Sequence, residues 1–115
     1  MMDAAKAKRT MNAVLTHVVA QDFDALLGLA PRSRVTAAGL RAALSDYGRR
    51  PILPPAPVEQ LADIVAVSGS HPQSWSVNLP LWTKEEGRSD LTLEMHFTDS
   101  DAEIYAIEID DLHVL

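Results

Sequence analysis

The sequence predicts an α+β domain, with three N-terminal helices packed on one face of a four-stranded antiparallel meander. Three observations carry this. Apolar residues recur at helical spacing up to about position 47, a proline-rich tract crosses positions 51–57, and runs of alternating apolar and polar residues occupy the remainder. A chain of 115 residues suits one domain, divided into a helical part (1–50), a connector (51–60) and a sheet (61–115). At that length a fold buries roughly two thirds of the surface of its unfolded chain.

Helix one is expected over residues 4–20, where Met11, Val14, Leu15, Val18 and Val19 follow the i, i+3, i+4, i+7, i+8 stripe of an amphipathic helix. Asp22 is placed to cap a short second helix carrying Leu26, Leu27 and Leu29, which Pro31 ends. Thr36 is the next N-cap candidate. Leu40, Ala43, Leu44 and Tyr47 then form the buried stripe of helix three, and Gly48 sits where a left-handed C-terminal cap belongs. The run Pro51-Ile-Leu-Pro54-Pro55-Ala-Pro57 lacks amide donors and reads as a stiff, extended connector. It lacks the flanking basic residue that would orient an SH3-type ligand.

Strands are expected at 62–68, 75–82, 91–98 and 103–109. Pairing them as hairpins sets Leu81, Leu79, Val77 and Trp75 opposite Leu91, Leu93, Met95 and Phe97. The next hairpin sets Phe97, Met95 and Leu93 opposite Tyr105, Ile107 and Ile109, while Val65 and Val67 meet Val77 and Trp75. A one-residue slip would scatter these apolar residues over both faces, so the pattern specifies the register. The opposite face then carries Ser76, Asn78, Thr92, Glu94, His96, Ala106, Glu108 and Asp110, with Glu94 opposite Glu108.

Composition narrows the function. There is no cysteine, which excludes disulfides, thiolate catalysis and Cys-ligated zinc. The first helix has basic residues ahead of an apolar stretch, but Asn12, Thr16 and His17 interrupt it, so it reads as part of a mature intracellular chain rather than a signal sequence. No apolar run approaches the ~20 residues of a membrane span. The net charge of −6 is uneven: residues 1–50 hold eight Lys/Arg against four Asp/Glu, and residues 84–111 hold two against ten. An acidic half repels phosphate, so a basic protein surface suits it better than nucleic acid does.

Three groups of residues are candidates for a site. Glu94, His96 and Glu108 share a strand face, and a divalent metal would accept such a set. Solvent-facing strands carry these residues for solubility alone, however, and neither a metal nor a cofactor is expected. In the terminal IDDLHVL, Asp111 lies on the side of His113, as a carboxylate orienting a general base would, but no motif supplies a nucleophile. In the loop KEEGRSD, Gly87 supplies a positive-φ position and Arg88 is expected to bridge to Asp110 or Asp111. Trp82, Glu85, Arg88 and Asp90 otherwise read as a presented loop with an aromatic anchor and a charged rim. No phosphate loop, GxGxxG, HExxH or GxSxG is present.

The segments PLWTKEEGRSDLTLE and IEIDDLHVL resemble a family of small uncharacterised bacterial domains of unknown function, strongly over residues 62–115 and more loosely over the helices. The order of elements, and the segment VVAQDFDALLGLA, are more distantly similar to the cystatin-like and nuclear-transport-factor-2-like fold. That resemblance implies either isomerases and dehydratases or noncatalytic binding and immunity modules. Active members keep a His/Asp or Tyr/Asp pair inside the cone between helices and sheet. The face assigned to that interior is apolar here, with Tyr105, Tyr47 and Asp63 its only polar groups. The preferred expectation is a noncatalytic interaction domain that binds a protein partner, or a second copy of itself, through the acidic sheet face or the 83–90 loop; an immunity-type module is a special case. The alternative is a small-molecule-binding or isomerase-like protein with an apolar pocket between helices and sheet.

Overall fold

The computed structural model describes residues 2–55 and 57–114. Three helices come first: α1 (Ala4–Ala20), α2 (Phe23–Leu29) and α3 (Ala37–Tyr47). Each begins on a side-chain cap. Asp3 accepts the amides of Ala5 and Lys6, Asp22 that of Ala25 at 3.1 Å, and Thr36 that of Gly39 at 3.0 Å. These contacts satisfy amides that have no partner within the helix. Gly48 closes α3 at φ 74°, and Gln21 takes the same left-handed conformation after α1.

The sheet follows as β1 (Pro51–Ile52), β2 (Asp63–Ala66), β3 (Ser74–Thr83), β4 (Gly87–Thr98) and β5 (Ala106–Val114), all pairs antiparallel. β1 and β2 share one side of β3, β1 at its C-terminal end and β2 at its N-terminal end; β4 and then β5 lie on the other. The architecture is the expected α+β, with a two-residue strand and a short 3-10 turn (Val58–Gln60) inside the proline-rich connector.

Met11, Val14, Leu15 and Val18 of α1, Phe23 and Leu26 of α2, and Leu40 and Leu44 of α3 join Val77, Leu79, Leu93, Met95, Phe97 and Ile109 of the sheet in one buried cluster. Hydrogen bonds tie the first half of α1 and its cap to the segment that leads into β5. Thr10, wholly buried, accepts the Tyr105 amide at 3.0 Å, and the Tyr105 hydroxyl accepts the Asp3 amide at 2.8 Å. The Tyr105 ring lies against Trp75 and Phe97. The tyrosine is therefore spent on packing.

The β3–β4 register runs as expected from Trp75 opposite Phe97 to Leu79 opposite Leu93. Two other registers differ. In β2 it is Ile64 that meets Val77 and Ala66 that meets Trp75, so Val65 points outward and is 64 % exposed. In β5 the strand starts at Ala106 and pairing moves by two residues, with Phe97 opposite Ile107 and Met95 opposite Ile109. A two-residue shift leaves the same side chains facing inward. Past Met95 the pairing jumps, Glu94 meeting Asp111 and Leu93 meeting Leu112, so Asp110 is the extra residue of a bulge. Glu94 therefore does not face Glu108; His96 does.

The 83–90 loop also contracts. Thr83 pairs with Gly87 and Trp82 with Arg88, which leaves a turn of residues 84–86. Gly87, at φ 74°, ends this three-residue connection in the conformation such hairpins require.

Candidate functional site

The outward face of β4 and β5 gathers most of the sequence candidates, because β4 residues Arg88, Asp90, Thr92, Glu94 and His96 alternate with the buried Ser89, Leu91, Leu93 and Met95. Cross-strand partners form rows: Ser76, His96 and Glu108; then Asn78, Glu94 and Asp111; then Pro80, Thr92 and His113. The bulge makes the last two rows. Continued regularly from Met95–Ile109, the register would send Asp111 inward; the extra residue returns Leu112 to the core and leaves Asp111 and His113 outside.

Two imidazole–carboxylate groups result. His96 Nδ1 is 2.5 Å from Asp110 Oδ2. His113 lies between two acids, Nδ1 3.1 Å from Asp111 Oδ2 and Nε2 3.2 Å from Glu94 Oε2. The second approach is close enough for an ion pair but off the line of a hydrogen bond, and Nε2 is shielded from solvent without a hydrogen-bond partner. Asp111 Oδ1 accepts the Leu112 amide at 2.9 Å, which fixes that carboxylate.

Arg34, which the sequence does not single out, comes from the segment between α2 and α3. Its Nε lies 3.2 Å from Glu108 Oε1 and 3.8 Å from Asp110 Oδ1. It is held there because the Arg34 amide donates to the Ile109 carbonyl at 2.9 Å, while Ser33 Oγ accepts the Ile109 amide at 2.9 Å.

Arg88 does not make the expected bridge. Leu91 pairs with Val114, so Asp111 is level with Glu94, six residues along β4 from Arg88. That is about 20 Å of strand. Among the described residues Arg88 forms no ion pair; it lines a shallow groove with Asp63, Asn78, Pro80, Ser89, Asp90 and Thr92. Asp63, the first residue of β2, thus faces outward rather than into the core.

The hairpin turn is tied to the helices. Glu85 accepts the Arg50 amide at 2.9 Å and the Arg50 Nε at 3.4 Å. The amide hydrogen bond chiefly holds the Glu85 carboxyl below the usual range, with help from the guanidinium. Tyr47 donates its hydroxyl to Glu86 at 2.8 Å, and burial followed by this acidic partner pushes its phenol up. Trp82 is half-buried, its Nε1 shielded and without a hydrogen-bond partner.

Chemically this face is acidic, with two histidines set among its carboxylates. Among the described residues no serine, threonine or lysine hydrogen-bonds either histidine, so no nucleophile–base pair is assembled. The principal grooves open at the surface, and none is lined by Met11, Val14, Leu93 or Met95. No described helix is long and apolar enough to cross a membrane.

Comparison with curated proteins and with solved structures finds no match. A family described as domain of unknown function (DUF7668) matches residues 15–115, which takes in α2, α3, the whole sheet and all the outward residues named above. The chain belongs to that family.

Proposed function

We propose that this chain is a noncatalytic interaction domain whose outward β4–β5 face binds a basic protein surface. The observation that carries the reading is the grouping of Asp90, Glu94, Glu108, Asp110 and Asp111 on one sheet face, with Arg34 and Arg88 the cations beside them. Charge of one sign spread over a firm surface steers and selects a partner of the other sign. A second copy is the poorer fit, since it would set like charges against each other. An immunity-type role against a basic toxin is one form of this function.

The isomerase-like alternative has less support. Leu79, Leu93, Met95 and Ile109 are fully buried among the helix side chains, and Tyr105 spends its hydroxyl on the Asp3 amide. An active pocket needs convergent polar groups in an open cavity.

Immobilised protein should capture a basic partner that ionic strength releases. The double variant Asp90→Lys/Glu108→Lys should lose that partner while keeping its melting temperature. Capture that ignores salt, or that survives the double variant, would refute the reading.

A further inference from the structure

We propose that Glu94, Asp111 and His113 bind one first-row divalent transition-metal cation, with zinc the best fit. Their donor atoms, one from each residue, lie within 4.8 Å of one another. Metal–ligand bonds of about 2.0–2.2 Å place tetrahedral donors about 3.4 Å apart. His113 reaches Asp111 through Nδ1 at 3.1 Å and Glu94 through Nε2 at 3.2 Å. Whichever ring nitrogen is the ligand therefore starts at that spacing from one carboxylate, and rotation of the partly exposed side chains has to close the remaining gap to the other.

Charge is the first argument. Glu94 and Asp111 are direct cross-strand partners, an arrangement in which like charges repel. Elsewhere on the face the problem is solved by Arg34, which serves Glu108 and Asp110. Among the described residues no lysine or arginine pairs with Glu94 or Asp111; each has only His113 beside it. A dication would neutralise both acids at once.

The second argument is independent of charge. His113 Nε2 is withdrawn from water, faces Glu94 Oε2 and makes no hydrogen bond. A shielded polar nitrogen that makes no hydrogen bond is unfavourable, and a bound metal ion would satisfy it. Asp111, meanwhile, is oriented by the Leu112 amide, the kind of outer contact that fixes a metal-binding carboxylate.

Ligand type selects the ion. One imidazole with two carboxylates suits zinc, cobalt or nickel, whereas magnesium and calcium favour oxygen alone. Three protein ligands leave a fourth position for water. His96 is not part of this group: the donor atoms that come together are those of Glu94, Asp111 and His113.

The test is titration of the chain with zinc chloride by calorimetry, with histidine ring nitrogens followed by NMR. One zinc per chain should bind, raise the melting temperature and shift the His113 ring signals, and magnesium should do none of these. His113→Gln and the isosteric Glu94→Gln should each weaken zinc by more than about tenfold. His71→Ala and His96→Gln should leave the affinity unchanged. Absence of binding, binding retained in His113→Gln, or binding lost in His71→Ala would overturn the site. The readout needs no protein partner, and Asp90 and Glu108 are left intact, so this site and the interaction reading can fail separately.

Discussion

Asp110, the extra residue of the β5 bulge, sets its carboxylate on His96 Nδ1 at 2.5 Å. The contact spans two strands and ties the irregular point of β5 to the outward row of β4. It is partly shielded, whereas the neighbouring Arg34 side chain is 75 % exposed. A double-mutant cycle on His96→Ala and Asp110→Ala should give a coupling of about 0.5–1.5 kcal/mol. The same cycle on Arg34 and Glu108 should give at most about 0.5 kcal/mol. Equal couplings in urea melts would mean that the bulge contact does not hold the strands.

Leu93 and Val65 distinguish the two faces of the sheet. Leu93 is 1 % exposed between Leu79 and Leu112, so Leu93→Ala should cost about 2–5 kcal/mol in lost transfer energy and cavity formation. Val65→Ala, on the outward side of β2, should change stability by less than about 0.5 kcal/mol. A large loss at Val65 would place β2 one residue out of its register.

Gly87 and Gly28 should respond to alanine with opposite signs. At Gly87 the backbone has φ 74° and an added Cβ would meet the Trp82 ring at 3.5 Å. Left-handed backbone costs a side chain about 1–2 kcal/mol, so Gly87→Ala should destabilise by that amount. Gly28 lies in α2 with nothing within 4 Å of a Cβ. There alanine should stabilise by about 0.5–1 kcal/mol. Thermal melts of the two variants decide the point.

Glu85 gives the turn an acid dependence. Its folded carboxyl titrates below the ordinary range because the Arg50 amide donates to it. Its contribution is therefore present above the unfolded value of about 4.3 and is lost as pH falls through the lower folded value. Glu85→Gln should flatten the fall in stability across that acid window and leave the neutral-to-alkaline range alone. Parallel curves for the two proteins would show that the Arg50 contact does not couple to folding.

Much of this architecture was legible from local chemistry. Asp22, Thr36 and Gly48 announce their helix ends through groups that act within four residues. β3 and β4 meet in the expected register over three apolar pairs, the fourth, Leu81 opposite Leu91, being lost to an irregularity between Pro80 and Trp82. The alternation puts β5 on the correct face but in another register, since a period of two does not distinguish Ile107 from Ile109 opposite Met95. It puts β2 on the wrong face because Ile64, Val65 and Val67 present apolar residues at both parities. Nothing in the sequence marks Asp110 as a bulge, and the Glu94–Asp111–His113 grouping depends on it. Arg34 was invisible because its place is set by a loop carried from another layer of the fold.

Ser33 and Arg34 also decide how the sheet ends. Among the described residues no strand lies beyond β5, and at Ile109 both backbone groups turn away from β4. Left bare, such an edge is a template on which another extended chain can add and from which aggregation can start. Here the serine hydroxyl and the Arg34 amide occupy those two groups, and the two residues that follow, Asp110 and Asp111, are charged before Leu112 turns inward. Growth of the sheet by a further strand at this point would first have to lift the lead-in of α3 off the edge, so the loop serves as a stopper against polymerisation.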